Sequence, residues 1–186
     1  MNLMDAINTR RSVRHYSDQA VAKETVELLL AAAVQAPSAS NSQPWAFAVI
    51  QDSQRLKQYS DRAKAYLLSM IEVQPGLAKY RGMLENADFN IFYNANTLVI
   101  IYAKPEGLHP AGDCCLAAQN LMLTAHDQGL GSCWIGFART LLDLPELKAE
   151  LGVPSDYSVE APVILGYPQG RIPQLSKKDP EILFWL

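Results

Sequence analysis

The chain has 186 residues with a formal net charge of −3 at pH 7, and 49% of its residues are hydrophobic. This length suits one well-buried domain better than two, so we expect a single domain over residues 1–186. The slight acidic excess gives no general attraction to nucleic acids or anionic membranes. The charged N-terminal residues and the short apolar runs predict neither a secretory signal nor a membrane span, and we expect a cytoplasmic protein.

The first half of the chain predicts helices around one buried strand. A short helix over 3–10 precedes a stronger one over 23–35, which Pro37 ends because proline cannot continue the helical hydrogen bonds. The apolar residues 45–50 predict a buried strand, and Asp52 favours the start of another helix. The segment that follows, over 61–90, is expected to hold helical pieces interrupted at Pro75-Gly76.

The second half predicts a central strand and one very apolar helix. Residues 97–103 are β-branched and apolar on both faces, as in a strand at the middle of a sheet. A helix of about 16 residues then ends near Gly129. It is apolar almost all the way round, so we expect it to be buried in a core or against a second subunit. Shorter elements follow: a strand or turn over 132–137, a helix over 144–151, a strand over 158–167, and an irregular tail with an apolar end.

Side chains with obvious catalytic chemistry are scarce in this sequence. No GxGxxG, GxxxxGK[ST] or GxSxG motif is present, and the three histidines are scattered. The three cysteines are odd in number and lack zinc spacing, so reduced thiols are expected. Asp113, beside Cys114, is interpreted as an ordinary acidic residue at a helix N-terminus. This pattern suits an enzyme whose cofactor supplies the reacting groups.

Three polar segments remain as candidate sites. "RRSVR" at 10–14 places Arg10 and Arg14 one turn apart on a helix end, suited to an anion or simply solvated. "APSASNSQPW" at 36–45 is an uncharged loop whose amides could bind a heterocycle, or an ordinary turn. "GLGSCWIGF" at 129–137 has glycines that let a flat ligand approach the backbone, or form a helix cap and a tight turn.

Together these segments, with "DCCLAAQNLMLTAHDQGLG" and the closing "APVILGYP…KKDPEILFW", resemble the FMN-dependent nitroreductase family over nearly the whole chain. The resemblance implies an α+β fold, a three-layer sandwich with a mixed or mainly antiparallel central sheet. It also implies a homodimer that exchanges C-terminal extensions, with FMN at the subunit interface. The residues that it assigns to FMN are Arg10, Arg11, Ser12, Arg14, Pro37, Ser38, Ala39, Ser40, Asn41, Gln43, Ile135, Gly136, Lys177 and Lys178.

The resemblance implies a role for each group. Arg10, Ser12 and the pair Lys177 and Lys178 would hold the phosphate, and Arg14 would lie nearer the ribityl chain and the pyrimidine end of the ring. Arg11 could instead be solvated or salt-bridged. The segment 37–43 would come from the other subunit, and Ile135 and Gly136 would face flavin N5. No residue matches the usual contact to the pyrimidine edge, and Lys64 is only a candidate.

The activity implied is reduction of nitroaromatics, quinones or related electron-poor acceptors, with NAD(P)H as co-substrate and hydride passing through flavin N5 in two alternating half-reactions. No catalytic side chain and no metal are expected. The alternatives are a specialised family enzyme such as a reductive dehalogenase, and a non-catalytic flavin-binding module for redox sensing or partner docking. Neither nucleic acid nor membrane is expected as a partner.

Overall fold

The computed structural model describes residues 1–172 and 175–186 of the chain. The helices within this part are α1 (Leu3–Thr9), α2 (Lys23–Ala33), α3 (Ser53–Ser69), α4 (Arg81–Glu85), α5 (Pro110–Asp127), α6 (Gly136–Leu142) and α7 (Pro145–Leu151). The strands are β1 (Trp45–Ile50), β2 (Thr97–Ala103), β3 (Gly131–Trp134) and β4 (Ser158–Gly166). In the part of the chain so described, no helix has both the length and the apolar character needed to cross a membrane.

The four strands form one antiparallel sheet in the order β1-β2-β4-β3. β2 and β4 lie in the middle and are almost wholly buried, whereas β1 and β3 are the outer strands. The register between β2 and β4 shifts at Ile101 and Tyr102, which leaves Glu160 without a directly opposed residue. The prediction of an α+β fold with a mainly antiparallel sheet is therefore confirmed.

Helices cover both faces of this sheet because successive side chains of a strand point to opposite sides. On one face, Val99 and Ile101 of β2 join a core with α2 and α5. On the other, Leu98 and Ile100 of the same strand join a core with α3 and α6. The two cores give the three predicted layers.

The region that precedes β2 was predicted to hold helical pieces, and the structure gives it one long helix followed by shorter ones. Asp52 begins α3 as expected, since its carboxylate accepts a hydrogen bond from the Arg55 N–H at 3.0 Å. The helix then continues to Ser69, and Pro75–Tyr80 forms a 3₁₀ helix in place of a simple interruption. The irregular residues between α4 and β2 prove important for the site.

Two apolar surfaces of this single chain face outward. α5 was expected to be buried in a core or against a second subunit, and within this single chain Cys115 and Leu116 are exposed along one of its faces. The C-terminal extension was expected to be exchanged in a homodimer, and in this single chain its last five residues, 182–186, are exposed and irregular. Both surfaces are available for contact with another molecule.

Candidate functional site

The arginine segment is extended, not helical as predicted. α1 ends at Thr9, and Ser12 pairs with Ser132 of β3 in a parallel bridge. The Val13 N–H donates to the Ser132 carbonyl at 3.0 Å, and Val13 is buried. Residues that alternate along an extended chain share one side, so Arg10, Ser12 and Arg14 lie opposite the buried Val13. The predicted common face is therefore kept, but by strand geometry.

The contact between this segment and β3 requires a glycine. A Cβ at Gly131 would lie 2.7–2.8 Å from the side-chain carbons of Val13, closer than real atoms approach. The absence of a side chain at Gly131 thus lets the two backbones pair. It fixes the arginine segment beside the β3–α6 junction.

A pocket of about 260 Å³ opens at this junction. Ile135 and Gly136, both predicted as site residues, lie in its wall, and the Ile135 N–H donates to the Pro162 carbonyl at 2.8 Å. A Cβ at Gly136 would meet no atom within 4 Å, so the space next to its Cα atom is open. The pocket is lined by Arg14, Ile91, Tyr93, Cys133, Trp134, Ile135, Gly136 and Phe137.

Tyr93 is a pocket residue that sequence reasoning missed. The Arg14 guanidinium lies 5.8 Å from the centre of its ring, which places Arg14 at the pocket wall by a cation–π contact. Tyr93 and Asn94 have φ of 52° and 57°, in the left-handed region that side chains rarely adopt. The Asn90 amide holds this turn: its oxygen accepts from the Phe92 N–H at 2.8 Å, and its nitrogen donates to Asn94 Oδ1 at 3.0 Å. The two asparagines were the available signal.

A second pocket of about 280 Å³ lies next to the bridge, lined in part by Arg10, Arg11, His126 and Ser132. The Ser132 hydroxyl is buried and has no hydrogen-bond partner in the described part of the chain. Arg11 is engaged in part: its Nη1 donates to the Asn8 and Arg10 carbonyls at 2.7 Å each, whereas its Nε is buried without a partner in the described part of the chain. Burial, and then the charges of Arg10 and Arg11, lower the pKa of His126.

A third concavity adds a cation that was not predicted. Arg171 lines it together with Ser12, Arg14 and His15. The Gln169 N–H donates to the His15 carbonyl at 3.0 Å, which ties the segment carrying Arg171 to the arginine segment. Lys177 and Lys178 lie in the exposed tail beyond it. Arg171 therefore adds a cation beside the arginine segment in a chain whose net charge is −3.

The 37–43 loop lies elsewhere. It leads into β1, and the outer strands β1 and β3 are separated by three strand spacings, roughly 14 Å. Its backbone is unusual, since Ser40, Asn41 and Gln43 have φ of 53°, 54° and 48°. Both Asp113 carboxylate oxygens lie 3.2–3.3 Å from the Ala39 nitrogen, which donates to them, and the Gln43 N–H donates to Ser38 Oγ at 2.9 Å. Within one chain, the loop and the arginine segment are not brought together.

Other candidate groups have structural partners. The Lys64 ammonium is buried and donates to the carbonyls of Asn86 and Phe89 at 2.9 and 2.8 Å, so it supports the turn before β2. All three cysteines carry free thiols, and burial raises the pKa of Cys133. A raised pKa keeps this pocket thiol protonated, which does not favour thiolate chemistry.

Comparison with known proteins places the chain in a family. A model described as the nitroreductase family matches residues 7–167, so the chain belongs to that family. A protein of Archaeoglobus fulgidus, provisionally named NADH dehydrogenase/NAD(P)H nitroreductase, is 35% identical over 163 residues, which cover 88% of this chain and 83% of the relative. The 5,6-dimethylbenzimidazole synthase of Rhodospirillum rubrum is 31% identical over 185 residues, with 90% and 83% covered.

A solved structure agrees with this placement. An FMN-bound nitroreductase from Bacteroides fragilis matches with a TM-score of 0.85 at 28% identity, and the match covers 99% of each chain. The predicted family and oxidoreductase class are confirmed by these findings. FMN, the predicted cofactor, is the group which that relative holds.

Proposed function

We propose that the chain is an FMN-dependent oxidoreductase that acts as a homodimer, takes electrons from NAD(P)H and passes them to small electron-poor acceptors such as nitroaromatics and quinones. The pairing of Ser12 with Ser132 carries the proposal, because it brings the arginine segment beside the pocket at the β3–α6 junction. Family membership supports the enzyme class. The names of the relatives support FMN and NAD(P)H.

The residues present fit FMN. An apolar and aromatic pocket suits a flat ring system, and Arg14 adds one cation to its wall. The buried Ser132 hydroxyl lacks a partner among the described residues, and it lies in the same pocket as Arg10. A phosphate oxygen would give this hydroxyl an acceptor and would be held by charge-assisted hydrogen bonds from arginine. Ring and phosphate thus find separate, suitable surroundings, the ring beside Arg14 and the phosphate beside Arg10.

FMN, when bound, would supply the redox chemistry by carrying hydride between NAD(P)H and the acceptor. The protein's residues bind and orient. We assign the phosphate to Arg10 and Ser12, with Lys177 and Lys178 closing over it. Arg14 would stabilise negative charge on the reduced ring from the pocket wall. Phe137 and the other apolar lining residues exclude water, and the open space next to Gly136 admits the second substrate.

The dimer is proposed because one chain does not hold the whole site. The 37–43 loop and the arginine segment lie at opposite edges of the sheet, so we infer that the loop serves the partner's site. The exposed face of α5 and the exposed apolar tail at 182–186 supply surface for a large interface. The tail would lie across the partner, as the resemblance implies.

Turnover separates an enzyme from a flavin-binding module. The purified protein, incubated with FMN, should oxidise NADH or NADPH steadily when a quinone is added and slowly without it. The same assay with a nitroaromatic and with a halogenated aromatic identifies the preferred acceptor. Flavin that stays bound but supports no NAD(P)H oxidation with any of these acceptors would contradict the enzymatic proposal.

A further inference from the structure

Asp113 is a buried carboxylate whose position needs explanation. Its residue is 5% exposed, and no cationic group of the described chain lies within ion-pair distance of it. Burying a carboxylate without a cation is costly. The N-terminus of α5 compensates part of this cost through its dipole. A plain helix-dipole role, however, would not require the carboxylate to be buried.

The direction of this carboxylate indicates a second role. It does not cap its own helix, and both oxygens instead meet the Ala39 N–H, 74 residues away in sequence. Ala39 directly precedes Ser40 and Asn41, the first two left-handed residues of the loop. Such backbone conformations persist only where surrounding contacts hold them. Asp113 is the contact that reaches this loop from the long, buried helix.

Two other contacts hold the rest of the loop. Ser38 Oγ accepts from the Gln43 N–H, and Gly107 passes so close to Ser42 that a Cβ there would lie 2.9 Å from Ser42 Oγ. These contacts set the loop's shape, whereas Asp113 ties it to the core of the subunit. A loop fixed before binding loses less entropy when it contacts a ligand.

We propose that Asp113 is a positioning residue for the cofactor site of the partner subunit, because its carboxylate holds the strained 37–43 loop in the form that meets the cofactor. The inference rests on the proposed function, in which this loop crosses to the partner's site. Asp113 itself does not touch the cofactor. Its removal should therefore weaken FMN binding without changing the arginine segment.

Three substitutions separate the hydrogen bond from the charge. Asp113→Asn keeps an oxygen that accepts the Ala39 N–H, so we expect FMN affinity close to that of the parent protein. Asp113→Glu keeps the charge near the helix N-terminus but displaces the carboxylate, and Asp113→Ala removes both. We expect these two to weaken FMN binding by about tenfold or more, the usual scale for one buried hydrogen bond to a charged group.

The matched control is Asp52→Ala. Asp52 also accepts a backbone N–H at the start of a helix, but it lies away from the loop and the arginine segment. We expect a lower melting temperature and unchanged FMN affinity. The measurements are FMN titration of the apoprotein by fluorescence, the melting temperature and the oligomeric state. Unchanged affinity in Asp113→Ala, or equal losses in Asp113→Asn and Asp113→Ala, would overturn the proposal.

A hybrid dimer tests whether Asp113 acts across the interface. Co-expression of an Arg10→Ala chain with an Asp113→Ala chain, each with its own tag, gives dimers that carry one of each. If the loop serves the partner, one site collects both defects and the other is intact, so we expect one tight FMN site per hybrid dimer. If Asp113 acts within its own chain, both sites are damaged and no tight site remains.

The two levels of the argument fail differently. A parent protein that binds no FMN contradicts the proposed function. A parent protein that binds FMN and loses it with Arg10→Ala, while Asp113→Ala keeps the parent affinity, contradicts only the assignment of Asp113. Hybrid dimers without a tight site contradict the crossing of the loop to the partner as well. Asp113→Glu and Asp113→Asn keep the test decisive if Asp113→Ala does not fold.

Discussion

The arginine segment and the 37–43 loop are both predicted to hold the same cofactor, yet they are built in opposite ways. The arginine segment is extended and pairs with β3, and its charges come from residues that sequence alone displays. The loop is uncharged and strained, and it is tied to a helix by one buried carboxylate. A segment that binds by charge needs only to lie near the ligand. A segment that binds through its backbone shape also needs contacts that keep it in that conformation.

The largest effect should come from the arginine segment. Replacing Arg10 by alanine removes a charge-assisted contact to phosphate, and we expect FMN affinity to fall by about 100-fold. Arg11→Ala is the matched comparison, since Arg11 Nη1 already donates to the Asn8 and Arg10 carbonyls at the end of α1. It should lower the melting temperature and leave affinity nearly unchanged. Equal losses of affinity, measured by titration of the two apoproteins, would remove the distinction between these neighbours.

The position of the arginine segment beside β3 can be tested at Gly131. An alanine there would put its Cβ against Val13, so we expect a loss of about 1–3 kcal/mol in the free energy of unfolding and weaker FMN binding. Gly82→Ala in α4 is the control, because a Cβ there meets nothing within 4 Å. Denaturant unfolding and FMN titration give the two readouts. Unaltered stability in Gly131→Ala would show that the segment does not depend on this close approach.

A smaller effect is expected at Tyr93, which sharpens the role of Arg14. Tyr93→Leu removes the ring beside the guanidinium, and a cation–π contact of about 0.5–1 kcal/mol corresponds to a few-fold loss of FMN affinity. Tyr93→Phe keeps the ring and should behave like the parent protein. The reduction potential of the bound flavin should fall in the leucine variant if Arg14 is displaced. Identical potentials in the two variants would argue against this positioning.

The smallest effect is a titration. Arg10 and Arg11 lower the pKa of His126 after burial does, so Arg10→Ala should raise that pKa toward its ordinary value. Because the folded state lowers this pKa below that of the unfolded chain, unfolding takes up a proton, and stability falls as the pH drops through the folded pKa. The Arg10→Ala protein should lose less stability than the parent protein over the same fall in pH. NMR titration of the imidazole measures this shift. An unchanged pKa of His126 in Arg10→Ala would contradict an electrostatic effect of Arg10 on this histidine.

The sequence predicted the charged part of the site better than the shaped part. Arg10 and Ser12 stand in one short motif and Ile135 and Gly136 in another, and the pairing of Ser12 with Ser132 brings the two motifs close together. The helical geometry expected for Arg10 and Arg14 was wrong, because this segment pairs with β3 as extended chain. The residue types around positions 10–14 do not indicate this pairing.

Tyr93 depends on a local turn, whereas Asp113 and Lys64 depend on contacts far apart in sequence. Tyr93 enters the pocket through a left-handed turn that Asn90 holds, and Asp113 reaches a loop 74 residues away. Lys64 was a candidate for the cofactor, but its ammonium supports the Asn86 and Phe89 carbonyls. Tertiary hydrogen bonds of this kind leave no local pattern. The fold class was accessible because hydrophobic periodicity is local.

The most direct test of the central claim is the visible absorption spectrum of the purified protein, recorded after incubation with FMN and removal of free flavin. It is then recorded again after anaerobic addition of NADH or NADPH. We predict a two-band flavin spectrum that bleaches on addition and returns when a quinone is supplied. A protein that stays colourless after FMN incubation, or a bound flavin that neither dinucleotide bleaches, would contradict the account.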